Sequence, residues 1–155
     1  MTQIHQQVEI EAAAEKIIAA IVDIRGYDRW LERQATEEFE GFLILRRSDE
    51  ALVGMCNLSQ IVRDPLQGAF IGFGAIEGFA GRGYMSAGVG LVLGQAFGRL
   101  RLHRVEANVQ PQNTASKALV RSLGFVCEGF SERYVKVGGR WRDHERWAIT
   151  REDWR

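Results

Sequence analysis

"GFAGRGYMSAGVGLVLGQAFGRL", residues 78–100, decides how this chain is read, because it joins helical spacing of large apolar residues to seven glycines. Each glycine inside a helix costs about 1 kcal/mol relative to alanine, so something must compensate. From Val89 the large residues recur as Val92, Leu93, Ala96, Phe97 and Leu100. That stripe predicts a core-facing helix beginning near Tyr84. Gly81 and Gly83 lie just ahead of it, where bare backbone admits a ligand to the N–H groups that a first helical turn leaves unpaired, an arrangement suited to phosphate. Ser86, Gly90, Gly94 and Gly98 are spaced by four and outline a narrow groove, expected to be a close-packing face within the fold or between two copies. A P-loop string is missing, and a dinucleotide fingerprint would need a third glycine where Ser86 stands.

Outward from this segment, "GAFIGFGAI" (68–76) reads as the preceding strand and "HRVEANV" (103–109) as the following one, with Val105, Ala107 and Val109 on one face and Arg104, Glu106 and Asn108 on the other. "NTASKALVRSLGF" (113–125) predicts a helix that stops at Gly124. "GFLILRR" and "ALVGMCNLSQIV" form a hairpin around "SDE", and "ERYVKVGGRWRDHERWAIT" a second one turning at Gly138–Gly139. Nearer the start, "QVEI" (7–10) suggests a strand, "EAAAEKIIAAIVDI" (11–24) a helix with Ile17, Ile18, Ile21 and Ile24 on one face, and "YDRWLERQATEEFE" (27–40) a second helix. Strands dominate, and one strand-helix-strand unit spans 69–109. The expected class is α+β, a mixed, mostly antiparallel sheet flanked by helices.

A chain of 155 residues that is 46% hydrophobic has the substance of a single domain over 1–155. Twenty basic residues balance twenty acidic ones, which leaves no net field to recruit nucleic acid or an anionic membrane. Cys56 and Cys127 lie in apolar runs without metal-site spacing, so both are expected as free core thiols in a reducing compartment. His5, His103 and His144 offer no ligand cluster for a metal. The opening residues have no basic-then-apolar leader, and no apolar run reaches the roughly 18 residues of a membrane span. A cytoplasmic location is the expectation.

"AGRGYM" at the head of a helix, "HRVEANVQPQNTASKALVRSLGF", and then "EGF" and "GGRWRDH" in that order resemble the GNAT N-acetyltransferases, especially the RimJ/RimL type that acetylates ribosomal-protein N-termini. The likeness covers roughly residues 40–149. It implies acetyl-CoA as acetyl donor. The loop Ala80, Gly81, Arg82, Gly83, Tyr84 and Met85 would hold its pyrophosphate through backbone amides, and the strand around Phe73, Ala75 and Ile76 its pantetheine arm. Asn113 and Ser116 match family positions that contact the cofactor arm, although "PQNT" before an apolar-periodic run is equally a helix cap; backbone capping would leave the Asn113 side chain turned outward. The family pattern has Gln or Arg where Ala80 stands and Gly or Ala where Met85 stands, departures that weaken affinity at most if amides do the binding.

Acetyl transfer needs a neutral amine, a polarised thioester carbonyl and a proton for the leaving thiolate. An α-amine of pKa near 8 is deprotonated at pH 7 for about 1.4 kcal/mol, against about 4.6 for lysine, so modest base catalysis suffices at a peptide N-terminus. Glu106 is the candidate base, acting through water, with pairing to Arg104 as the structural alternative. The tyrosine that many relatives place before the "LGF" corner as acid is Val120 here, which leaves Ser116 or Tyr134 for that role. Asp143 and His144 in "RWRDHERW" have no nucleophile between them and read as structural. The implied partners are acetyl-CoA and an amine acceptor, a ribosomal or other protein N-terminus, in a monomer or a homodimer. Two other readings stay open: a small-molecule amine as acceptor, and a non-catalytic acyl-CoA-binding or partner-binding module.

Overall fold

Residues 17–20 and 36–155 are described by a computed structural model. In chain order they form β1 (Ile17–Ala20), β2 (Phe39–Arg46), β3 (Leu52–Val62), β4 (Gly68–Ala75), α1 (Tyr84–Phe97), β5 (Arg104–Val109), α2 (Thr114–Ser122), β6 (Val126–Val137) and β7 (Arg140–Thr150). The strands make a single seven-stranded sheet in the order β1-β2-β3-β4-β5-β7-β6. Every neighbouring pair is antiparallel except β4 and β5, which α1 connects in parallel. The sheet is therefore mixed and mostly antiparallel, as the strand pattern implied.

The core lies between the sheet and α1. Val89, Val92, Leu93 and Ala96 are fully buried on the helix, over Ile44, Val53, Leu58 and Val105 of the sheet. Burying side chains of this size contributes roughly 1.5–3 kcal/mol each, enough to offset helix-weakening glycines on the same turns. β5 alternates as read, with Val105, Ala107 and Val109 inward and Arg104, Glu106 and Asn108 on the opposite face. Val120 of α2 is also fully buried, and Leu123 and Trp154 pack at the margin of the same core.

Three expectations change. Ile17–Ala20 is a strand, not part of a helix, with Ile17 opposite Arg46 and Ala20 opposite Leu43. A short apolar run containing β-branched residues is locally ambiguous, and the open edge of β2 supplies the hydrogen bonds that settle it. The other residues of that expected helix, the strand at 7–10 and most of the helix at 27–40 lie outside the described residues; Phe39 and Glu40 open β2. Second, the close contact between α1 and the sheet within the chain is not made by Gly90 or Gly94 of the four-residue row. A Cβ on Gly94 would meet nothing within 4 Å and one on Gly90 would make only ordinary contacts at 3.8 Å. On Gly88 it would lie 2.5 Å from Cδ1 of Ile44, so Gly88 is where helix and sheet touch backbone to side chain. Third, Cys56 is buried, with its thiol pushed well above the usual range by desolvation, but Cys127 is exposed because β6 is an edge strand.

Candidate functional site

The parallel pair opens partway along its length. β4 and β5 pair at Gly68↔Arg104, Ala69↔Val105 and Phe70↔Glu106 and no further. Beyond that point β4 stays paired with β3 as far as Ala75↔Gly54, and β5 with β7 as far as Val109↔Glu145. The facing edges, 71–75 and 107–109, thus carry backbone groups with no ladder partner across the gap, a slot in which an extended ligand can hydrogen-bond as a strand would. The Phe73 side chain rests on the core, while Gly74 and Ala75 are exposed. The Ile76 N–H is already spent on the Val53 carbonyl at 2.9 Å.

The slot runs into the glycine loop. Gly78, Gly81 and Gly83 have φ of 85°, 73° and 80°, the left-handed region that residues with a Cβ enter only under strain. A Cβ at Gly81 or Gly83 would meet no atom within 4 Å, so those glycines answer to backbone conformation and not to crowding. Gly83 is the N-cap of α1, without a side-chain cap and without an acidic residue in the first turn. Its carbonyl accepts from Ala87 at 3.1 Å, and among the described residues the amides of 80–86 have no protein acceptor. Ala80, Gly81, Arg82 and Gly83 are exposed. Met85 is different: its side chain is buried over Gly54, so only its amide is available to a ligand, and the departure from the family pattern at this position is a packing choice.

A guanidinium stands at the root of the loop. Arg46, at the end of β2, donates to Asp49 at 2.9 and 2.6 Å and to the Tyr84 hydroxyl at 3.5 Å. It lies 5.3 Å from the Phe79 ring centre and 5.9 Å from that of Tyr84, and the two rings meet edge to face at 6.1 Å. The ion pair holds the Asp49 carboxyl down to about 2 and raises the Arg46 guanidinium further. Arg46, Asp49 and Phe79 were not among the candidates read from sequence. Only the i,i+3 relation of Arg46 and Asp49 is visible there, whereas Arg46 and Tyr84 are 38 residues apart.

Glu106 is the last β5 residue paired to β4, at the point where the strands part. Arg104 Nε donates to its Oε1 at 2.8 Å, and the same guanidinium clamps Glu128 through two nitrogens. The Glu128 carboxyl is thereby held below its ordinary value. Oε2 of Glu106 has no protein partner among the described residues. Asn108 and its cross-strand neighbour Arg146 lie on the same sheet face, and their buried Oδ1 and Nε are the two unpaired buried side-chain atoms among the described residues. Such orphans in a well-packed protein mark a place where a water or ligand is expected.

At the head of α2, Asn113 Oδ1 accepts the Ser116 N–H at 3.0 Å. The side chain itself caps the helix, a correction to the expectation that it turns outward and leaves capping to the backbone. The Ser116 hydroxyl has no protein partner among the described residues, and Ser116 lies in the first turn of α2, the helix that follows β5 in the chain. Tyr134 is not brought to Glu106. It stands on β6, with β7 between it and β5, 40% exposed and with its ring 6.5 Å from that of His144. Its neighbour Val135 pairs with Arg142, beyond the last β5 partner of β7. Val120, where a family tyrosine was sought, is sealed in the core.

Residues 2–126 match the family described as the acetyltransferase (GNAT) domain. The chain is 41% identical over 122 residues to a probable N-acetyltransferase, YjcK, of Bacillus subtilis, covering 79% of this chain and 67% of that protein. It is 30% identical over 106 residues to the [ribosomal protein uS5]-alanine N-acetyltransferase of Escherichia coli, covering 68% of this chain and 55% of that one. Among solved structures, Mycobacterium smegmatis RimJ in complex with CoA-disulfide superposes with a TM-score of 0.74 at 34% identity, over 80% of this chain and 59% of RimJ. The chain thus spans between about half and two thirds of the length of these proteins.

Proposed function

The chain belongs to the GNAT acetyltransferase family, and on that footing we propose that it moves the acetyl group of acetyl-CoA to a primary amine, the α-amine of a peptide or protein N-terminus. The observation that carries this reading is the parting of β4 from β5 directly ahead of a left-handed glycine loop with free amides. The slot edges suit the amide-bearing pantetheine arm, and the amides of Ala80 to Ser86 suit the diphosphate, backed by the positive end of α1. The match to the uS5-alanine enzyme supports a peptide α-amine as acceptor, a ribosomal protein being the acceptor class its name records.

In this reading the amine nitrogen attacks the thioester carbonyl carbon, the C–N bond forms, the C–S bond breaks and the amine gives up a proton. Glu106 takes that proton through a water at Oε2, with Arg104 holding the other carboxylate oxygen in place. The Ser116 hydroxyl, in the first turn of the helix after β5 and without a protein partner among the described residues, supplies the proton to the thiolate; Tyr134 is two strands from β5.

The test is thiol release from acetyl-CoA with peptides bearing Ala, Ser or Thr at the N-terminus, with spermidine and an aminoglycoside alongside. Turnover with peptides is the expected result. Turnover with a small amine alone would move the acceptor class, and calorimetric CoA binding without turnover on any amine would make the protein a binding module.

A further inference from the structure

Building on that reading, we propose that the Arg46–Asp49 pair sets how tightly the glycine loop holds a diphosphate: Arg46 ties the two ends of the loop together and lends it positive charge, while Asp49 restrains that charge. The geometry is specific. Phe79 precedes the loop glycines 81 and 83 and Tyr84 follows them, and the one guanidinium lies within 6 Å of both ring centres while donating to the Tyr84 hydroxyl at 3.5 Å. A planar cation over two aromatic faces is attracted to both, so Arg46 fixes the span of the loop from outside it. Asp49 is fixed in turn by the β2–β3 hairpin, where its Oδ1 also accepts the Ala51 N–H at 3.3 Å. The chain thus couples a tight turn on one hairpin to the mouth of a helix more than thirty residues away.

A brace alone would not need an exposed carboxylate. The Asp49 side chain is 49% exposed, and Arg46 26%. Both charges are thus open to solvent, Arg46 against Tyr84 at the head of α1 and Asp49 bound to Arg46, and in this proposal they act on a diphosphate with opposite sign through partial screening. Arg46 favours a diphosphate there and Asp49 opposes it. The two halves of one ion pair then have opposite effects on affinity, which no purely structural role produces.

Calorimetric titration of CoA into the wild type, Arg46→Met and Asp49→Asn tests this at low and moderate salt. Arg46→Met keeps the apolar stem but removes charge and stacking plane, and should raise the CoA Kd about tenfold. Asp49→Asn should lower it about threefold, with the gain shrinking as salt is added. Arg46→Lys should recover part of the affinity lost in Arg46→Met. S-acetylpantetheine, which lacks the nucleotide diphosphate, should show the same KM with all these proteins. Circular dichroism melts establish that each variant is folded. If both Arg46→Met and Asp49→Asn weaken CoA binding, or both stay within twofold of wild type, the proposal is wrong and the family reading stands. If the wild type itself binds no CoA, both fall.

Discussion

Glycines do opposite work at the entry of α1 and one and a half turns further on. At the entry, Gly81 and Gly83 have left-handed backbones and nothing within 4 Å of where a side chain would begin. At Gly88 the backbone conformation is ordinary for a helix, and the absent side chain is what lets Ile44 of β2 come within 2.5 Å of the Cβ position. The first pair keeps space open and amides unpaired, the condition a phosphate ligand would need. The second removes space, which the core uses. Runs of glycine in one helix therefore cannot be assigned one purpose, because the cost of a glycine is local while its benefit depends on what the fold brings opposite.

Substitutions can separate the two roles. Gly88→Val should be the most damaging, because a branched side chain has to displace a fully buried Ile44; a loss of about 3 kcal/mol or more in chemical denaturation is expected. Retention of wild-type stability would mean that the contact is not close. Gly83→Val should instead leave the core intact and cost about 1–3 kcal/mol of backbone strain at φ of 80°. It should be read mainly as a ten- to hundredfold rise in the CoA Kd, and unchanged CoA binding would remove the loop from the site. Gly94→Ala, with nothing within 4 Å, should stabilise the protein by up to about 1 kcal/mol through helix propensity alone. A destabilised Gly94→Ala protein would restore the groove expected from the four-residue spacing.

The smallest effect concerns pH at the loop root. Asp49 is held to about 2 by Arg46, below its ordinary 3.8. Its contribution to holding the folded state is therefore complete above the ordinary value and disappears as pH falls through about 2. Carboxyl carbon NMR should give an Asp49 midpoint near 2 that returns towards 3.8 in Arg46→Met. A midpoint near 3.8 in the wild type would show that the pair is not formed in solution.

Much of the fold was legible because its patterns are periodic. The α1 stripe, the β5 alternation and the turn at Gly138–Gly139 each follow from side-chain spacing or local backbone chemistry, and the parallel β4–α1–β5 unit follows from their order. Ile17–Ala20 was misread because a four-residue apolar run carries no decisive period, and its strand exists only by pairing with β2. The loop glycines of the site were readable for the same local reason. Arg46 was not, since nothing within β2 indicates that Phe79 and Tyr84 lie beside it. Glu106 was readable as a candidate together with its alternative, pairing with Arg104, and the structure contains that pairing.

The order of residues by itself settled the elements with a repeat, the left-handed turns that demand glycine and the family motifs, because each rests on interactions between positions close along the chain. Only the three-dimensional arrangement decided where β4 leaves β5, which glycine touches the sheet, that Tyr134 stands apart from Glu106 and that Arg46 lies against Phe79 and Tyr84. Those outcomes depend on surfaces that meet after long chain segments close on each other, and short-range spacing holds no record of such meetings.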